Sequence, residues 1–288
     1  MLFRSRGILR GGMGKFAQRT PLNIGAFDSL EPRVVSRFAP DGSALGPAMG
    51  FTNVSGDLST PEAVVGNVEW NQRFGRRLLL KVDYLRRHGS HEYILDPDPV
   101  TGHVDLSSEG TSRYWEVETT ARYLGGGRRD LTVSYVRSHG TADLNNYDQF
   151  YGNFRNPILR ANEHNLTPND VPNRLLVRGT IGLPGKWDFA PVLEIRSGFP
   201  WSAVDEFQEF VGPRNRAGRL PSVETLDFAL ARPWRFKKRQ FRAGIKVYNV
   251  FGSSADRDVQ NNVTSPNYGQ FYNPLERSIG FVLGSVKK

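Results

Sequence analysis

Apolar and polar residues take turns along most of this chain. Across residues 62–74, Val64, Gly66, Val68, Trp70 and Phe74 fall on one side, and Asn67, Glu69, Asn71 and Arg73 on the other. Successive side chains of a strand point to opposite faces, so this spacing predicts a strand with one oily face and one polar face. The same period recurs. Leu78, Leu80, Val82 and Tyr84 alternate with Lys81 and Asp83, and Trp115, Val117, Thr119, Ala121 and Tyr123 alternate with Glu116, Glu118, Thr120 and Arg122. Further on, Leu175, Val177, Ile181 and Leu183 oppose Arg174, Arg178 and Thr180, and Trp187, Phe189, Leu193 and Ile195 oppose Asp188, Glu194 and Arg196. The pattern predicts an all-β antiparallel meander of about ten strands, near residues 7–18, 62–74, 77–95, 112–124, 130–141, 172–184, 186–202, 222–234, 239–252 and 276–286.

The connections are sorted. Strand starts from residue 62 onward are separated by roughly 15, 35, 18, 42, 14, 36, 17 and 37 residues, so short and long links alternate without a break. The short links are glycine and proline turns: Gly75-Arg76, Gly125-Gly126-Gly127, Pro184-Gly185, and the basic Lys237-Lys238. The long ones are polar and rich in Asn, Asp, Gly and Pro. In an up-and-down meander every second link lies on the same side, so all tight turns gather at one end and all long loops at the other. That is the layout of an outer-membrane barrel, with short periplasmic turns and long extracellular loops.

The polar face separates barrel types. It carries Glu69, Glu116, Glu118, Arg122, Arg174, Arg178, Glu194, Arg196 and Lys246. A dry core would charge several kcal/mol for each unpaired ion, whereas a wet lumen removes that cost. These nine are the expected lumen-facing residues. The apolar face carries aromatics, often near strand ends: Trp70, Phe74, Tyr84, Trp115, Tyr123, Tyr135, Trp187, Trp201 and Trp234, the pattern of an interfacial girdle.

Composition adds limits. The 288 residues include no cysteine, which excludes disulfides and thiolate metal sites. The net charge of +9 suits phosphate-bearing partners such as anionic lipid or lipopolysaccharide. The cations are dispersed in pairs such as Arg76-Arg77 and Arg86-Arg87, and the aromatics share the apolar face and not the charged one. A nucleic-acid platform, which mixes both, is therefore not expected. No run reaches the roughly 18 apolar residues of a membrane helix, and the first residues lack the apolar core of a signal peptide.

Two stretches resemble a known family. "APVLEIRSGFPWSAVDEFQEFVGPRNRAGRLPSVETLDFAL" and "FRAGIKVYNVFGSSADRDVQNNVTSPNYGQFYN" are similar to the C-terminal barrel of TonB-dependent outer-membrane receptors, in particular the group with a carboxypeptidase-regulatory-like N-terminal domain. "VYNVFG" resembles an element near the end of such barrels, and "RGGMGKFAQRTPLN" resembles an earlier strand with its outer loop. The resemblance implies energy-coupled uptake of a small substrate through a barrel of about 22 strands around a plug. It implies an inner-membrane energy-transducing complex as a partner of the full-length parent. The substrate stays open among oligosaccharides, peptides and metal chelates. Residues 1–288 are expected to be a single partial barrel of about ten strands, without plug or signal peptide, located in the outer membrane. No cofactor is expected. Family barrels usually end on an aromatic residue, whereas this chain ends "FVLGSVKK". Two alternatives stand beside this reading: a complete small outer-membrane barrel (adhesin, pore or omptin-like protease), and a soluble basic β protein.

Candidate chemistry is sparse. Residues 210–221, "FVGPRNRAGRLP", look like a phosphate cradle, but no helix pattern follows to supply an N-terminus. They read as an outer loop in which Arg214, Asn215, Arg216 and Arg219 are candidates for ligand or lipopolysaccharide phosphate. His88, His91, Glu92 and His103 lack the helical register of a zinc enzyme, and no metal site is expected. Asp96, Asp98 and Asp105 read first as turn residues. No nucleophile motif is present, so no catalytic residue is expected. The local acid–histidine pairs an omptin-like protease would need are His139 with Asp143 and His88 with Asp83.

Overall fold

In the computed structural model, residues 7–126, 129–147, 160–236, 239–252 and 255–287 are described. Gly127 and the Lys237-Lys238 turn lie outside them. Ten long strands build one wall: β1 (Gly7–Ala17), β2 (Glu62–Phe74), β3 (Leu78–Asp98), β4 (His103–Gly125), β5 (Arg129–Asp143), β6 (Asn173–Leu183), β7 (Trp187–Arg196), β8 (Val223–Phe236), β9 (Arg239–Tyr248) and β10 (Ser278–Lys287). Each pairs antiparallel with its neighbour in sequence, so the wall is a meander. The path ends on β1 and β10, which do not pair with each other among the described residues.

The tight turns follow from local chemistry. Gly75 (φ 61°) lies in the β2–β3 link and Gly185 (φ 72°) in the β6–β7 link, both in the left-handed region that glycine enters without steric cost. Beyond the opposite ends lie the long connections.

Register fixes the two faces. One ladder row runs Leu9, Trp70, Val82, Thr119, Tyr135, Leu175 and Ile195. The adjacent row, on the other face, runs Arg10, Glu69, Asp83, Glu118, Val136, Arg174 and Arg196. Among the described residues the wall encloses no dry centre. Trp70 and Ile245 are exposed, Val117 and Leu193 half-buried, and Met13 and Phe281 are 83% and 81% exposed. Nearly all the buried apolar residues lie instead toward the long-loop end, in the outer halves of β3 and β4 or in the long connections.

Here the structure corrects the sequence expectation. Most of residues 95–112, read as a long loop, is strand. β3 and β4 run for 21 and 23 residues and join through residues 99–102. About ten residues would suffice to cross a bilayer, and the strands of this hairpin are roughly twice that length. A bulge marks the change, with register shifts between Gly89 and Glu92 and between Glu92 and Ile94, and His91 at φ 55°. A bulge bends the strand and re-aims its side chains. Above it, Tyr93, Leu95, Val104 and Leu106 form a small core with Ile24, Phe27, Phe51 and Tyr147. Strand Met49–Ser55 seals one side by parallel pairing with β4, and Arg33–Val35 pairs with it in turn. A second difference concerns residues 186–202. β7 stops at Arg196, and Pro200–Trp201 forms a separate two-residue strand paired with Gly218–Arg219. Gly198 lets these segments meet, since a Cβ there would lie 1.8 Å from the Leu220 carbonyl oxygen.

Candidate functional site

The polar face is an ion network built on β1 to β7. The Lys81 ammonium stands among three carboxylates, 3.4 Å from Glu118, 3.5 Å from Asp83 and 3.7 Å from Glu69. Period two puts all four on one face of β2–β4, and the ladder makes them neighbours. Glu118 also accepts hydrogen bonds from Thr120 (2.7 Å) and Ser134 (2.9 Å). Three carboxylates against one ammonium leave a local excess of negative charge. Glu116 extends it and accepts a 2.5 Å bond from the Tyr114 hydroxyl. Toward the turns, Arg122 grips Asp130 in a fork, at 3.2 Å and 2.5 Å.

Across β6 and β7 the sign reverses. Glu194 meets Arg174 at 2.9 Å and Arg196 at 3.8 Å, and Arg196 also lies 4.6 Å over the Phe199 ring. Arg178 is exposed beside Val192 in the ladder, and Lys246 is exposed opposite Ala229. The network thus has an acidic flank and a basic flank. Between them, under the loops, opens a recess of 870 Å³ whose lining includes Tyr114, Glu116, Asp170, Arg174, Arg196 and Phe199. Of the nine residues predicted for the lumen, Glu116, Arg174, Glu194 and Arg196 line it, while Glu69, Glu118, Arg122, Arg178 and Lys246 lie elsewhere on the polar face. Lys81 and Asp83, left out of that set, had the same signal, since their parity matches Glu69.

Residues 210–221 form a clasp. Arg214 donates to Asn145 Oδ1 (2.6 Å) and the Leu144 carbonyl (3.2 Å), Asn215 to the Leu166 carbonyl (2.6 Å), and Arg216 to Asn165 Oδ1 (2.6 Å). Arg219 bridges the Asp170 and Gly198 carbonyls and the Asp170 carboxylate, whose side chain is 1% exposed. All four predicted ligand residues therefore hold the neighbouring loop of this chain. Arg160 and Arg214 lie over the Phe210 ring, at 4.0 Å and 4.5 Å. Burial, reinforced by the nearby Arg160 charge, draws the Arg214 guanidinium down to about 10. Burial likewise lowers Arg160. The asparagine of "VYNVFG", Asn249, is buried at φ 50°, donates its backbone N–H to Asp227 Oδ1 (2.8 Å) and donates its side-chain amide to the Leu275 carbonyl (2.8 Å). It ends β9 and anchors the loop that returns to β10.

The aromatic set divides. Trp70, Phe74, Tyr84, Trp115, Tyr123, Tyr135, Trp187 and Trp234 share the apolar face by register, and Trp234 stacks on Phe241 at 5.6 Å. Trp201 is different: it sits in the loop layer, edge-on to Tyr268 at 5.9 Å.

Neither of the acid–histidine pairs that an omptin-like protease would need is formed. His88 and Asp83 lie on opposite faces of β3. His139 faces Asp170 at 3.7 Å, and Asp143 instead meets His164 at 3.3 Å. His91 lies 4.0 Å from Glu62, while Glu92 is buried against Ser112. Among the described residues no group of three or more His, Asp or Glu is placed to hold a metal ion.

An antiparallel meander with one apolar and one charged face is the fold of outer-membrane β-barrels, and solved structures of that kind match it. The outer membrane transporter YddB from Escherichia coli aligns over 99% of this chain and 39% of its own, with TM-score 0.61 and 13% identity. The ferric-catecholate import receptor Fiu from E. coli aligns over 88% of this chain and 32% of its own, with TM-score 0.52 and 15% identity. The chain thus spans well under half the length of either structure. No protein-family model matches the sequence, and no curated protein does.

Proposed function

We propose that this chain is a section of the wall of an outer-membrane active transporter of the TonB-dependent kind, resembling the carboxypeptidase-regulatory-like group, that takes up a small solute. The observation that carries the reading is the pair of unlike faces on a ten-strand meander whose two edges, β1 and β10, are left unpaired. Unpaired strand edges are intolerable in hydrocarbon, so further strands must flank them. A complete ten-strand barrel would instead pair β1 with β10. A soluble protein would not leave Leu9, Met13, Phe281 and Leu283 on one bare face. In this reading the polar face lines the lumen and meets substrate or a plug. The 870 Å³ recess is the outer vestibule, and the inner-membrane energy-transducing complex acts on the parent protein.

The absence of native cysteine makes accessibility labelling clean. Single cysteines at Glu118 and Arg178, in the parent protein in outer membranes, should react with a water-soluble maleimide. Cysteines at Val117 and Leu193 should stay unreacted until the membrane is dissolved. The reverse pattern would end the proposal.

A further inference from the structure

Above the oily belt the apolar face changes character. On β3 to β5 two adjacent ladder rows read Arg86, Trp115, His139 and His88, Arg113, Thr141, directly above Tyr84, Val117 and Arg137. Together these strands form a groove of 600 Å³ whose lining includes Tyr84, Arg86, His88, Arg113, Trp115 and His139. Arg86, Arg113 and Arg137 are exposed, and among the described residues none has a carboxylate within ion-pairing distance; Arg137 donates to Asn173 at 2.7 Å. His139 does meet an acid, Asp170, which Arg219 already neutralises.

We infer that this groove binds a bis-phosphorylated glycolipid of the outer leaflet, with phosphates on Arg86, Arg113 and Arg137 and acyl chains along Val68, Val82 and Val117. The inference rests on the membrane reading above. Unpaired guanidinium groups at the edge of a hydrocarbon layer are costly unless an anion meets them there, and the planar fork of arginine matches phosphate. Tyr84 and Trp115 supply the amphipathic rings that sit at headgroup depth. Spacing separates this ligand from an ordinary phospholipid. Arg86 and Arg137 stand two strands and two residues apart, about 12 Å, too far for one phosphodiester and suited to two phosphates on a saccharide core.

The parent protein is extracted from outer membranes in mild detergent, and retained lipid is measured by native mass spectrometry and phosphate analysis. The wild type should keep about one bis-phosphorylated glycolipid, and the triple variant Arg86→Gln/Arg113→Gln/Arg137→Gln should lose at least tenfold. A control triple at the turn end of the same face, Arg129→Gln/Arg232→Gln/Arg239→Gln, should retain it. In vesicles, bis-phosphorylated lipid A should bind more tightly than its mono-dephosphorylated form or phosphatidylglycerol. If the triple variant fails to reach the membrane, Arg113→Gln alone should cost about threefold on the same assay. Equal retention by wild type and variant, preference for phosphatidylglycerol, or displacement by inorganic phosphate would each overturn the inference. A normal labelling pattern at Glu118 and Val117 with unchanged glycolipid sinks this site alone. A reversed labelling pattern sinks the membrane reading first.

Discussion

Arg219→Ala should open the outer loop layer without touching the wall. The Asp170 carboxylate is 1% exposed and is held by the Arg219 guanidinium and the Gly140 amide at 2.8 Å, with His139 farther off at 3.7 Å. Arg219 also bonds the Asp170 carbonyl at 2.8 Å and the Gly198 carbonyl at 3.1 Å. Removing one member of a fully buried ion pair costs about 3–5 kcal/mol, mostly through the charge left behind. Arg219 is 30% exposed, so water re-enters the gap and the cost falls to about 2–3 kcal/mol.

Hydrogen exchange reads that number directly, because local opening releases the amides it protects. The Gly140 amide points at Asp170 and the Thr167 amide at the Gly140 carbonyl (3.1 Å), so both report on the clasp. At 1.4 kcal/mol per tenfold, both should exchange about 30- to 140-fold faster in the variant. Amides of β8 and β9 near the turns should not change. Asp170→Asn keeps an oxygen for Gly140 and removes the buried charge, so it should open the loop less than Arg219→Ala. Unchanged exchange at Gly140 and Thr167 in Arg219→Ala would refute the assignment of the arginine as the clasp.

Three further outcomes follow from the same contacts. Burial opposes the Asp143 charge, but bonds from the Thr111 amide (2.7 Å), Asn162, His164 and the Thr111 hydroxyl outweigh it and hold the carboxyl below the usual carboxylate range. Its folded pKa lies below the unfolded value near about 3.9, so its contribution is complete above that pH and fades as pH falls through the folded value. The opening free energy read at the Thr111 amide should therefore be flat from about pH 7 to 5 and drop only below about 4, and a drop in the upper range would contradict this. Gly198→Ala drives a Cβ into the Leu220 carbonyl and should raise protease cleavage within residues 199–221 by at least about tenfold, a cost well above 1 kcal/mol. Gly42→Ala, with open space around it and φ +85°, should cost only about 1 kcal/mol and leave that cleavage unchanged. Phe281→Arg, on the lipid side of β10 in the proposed reading, should cost about 2–4 kcal/mol and reduce the heat-modifiable fraction in detergent, while Gly280→Arg on the other face should not.

Whether a feature could be read from sequence tracks how far its cause extends along the chain. The meander was legible because period two is enforced at every wall position: Trp70, Val82 and Tyr135 must share one face if Glu69, Asp83 and Glu118 share the other. The hairpin beyond the wall was not. Its bulge at Gly89–Glu92 shifts the register, and Tyr93, Leu95, Val104 and Leu106 are buried against residues 24–58, which carry no strand signal of their own. The clasp failed for a different reason. Arg214, Arg216 and Arg219 look available in sequence because their acceptors, Asn145, Asn165 and Asp170, are about 50 to 70 residues away and belong to a segment without period.

The same contrast bears on how such a wall would work. Its polar face is held by pairs between adjacent strands, Lys81 with Glu118 or Arg174 with Glu194, which survive any motion that keeps the ladder intact. The loop layer is held by long-range polar contacts that a ligand carrying its own anions or carbonyls can compete for. Arg214 and Arg160 share the Phe210 ring while half-buried, and each repels the other's charge. In the proposed reading, an anion reaching this arginine pair would relieve that repulsion, and relief is the differential contact that a change of loop state requires. In the proposed reading the rigid wall and the exchangeable clasp divide the work: one keeps the passage open to water, and the other sets how strongly the loops resist a ligand.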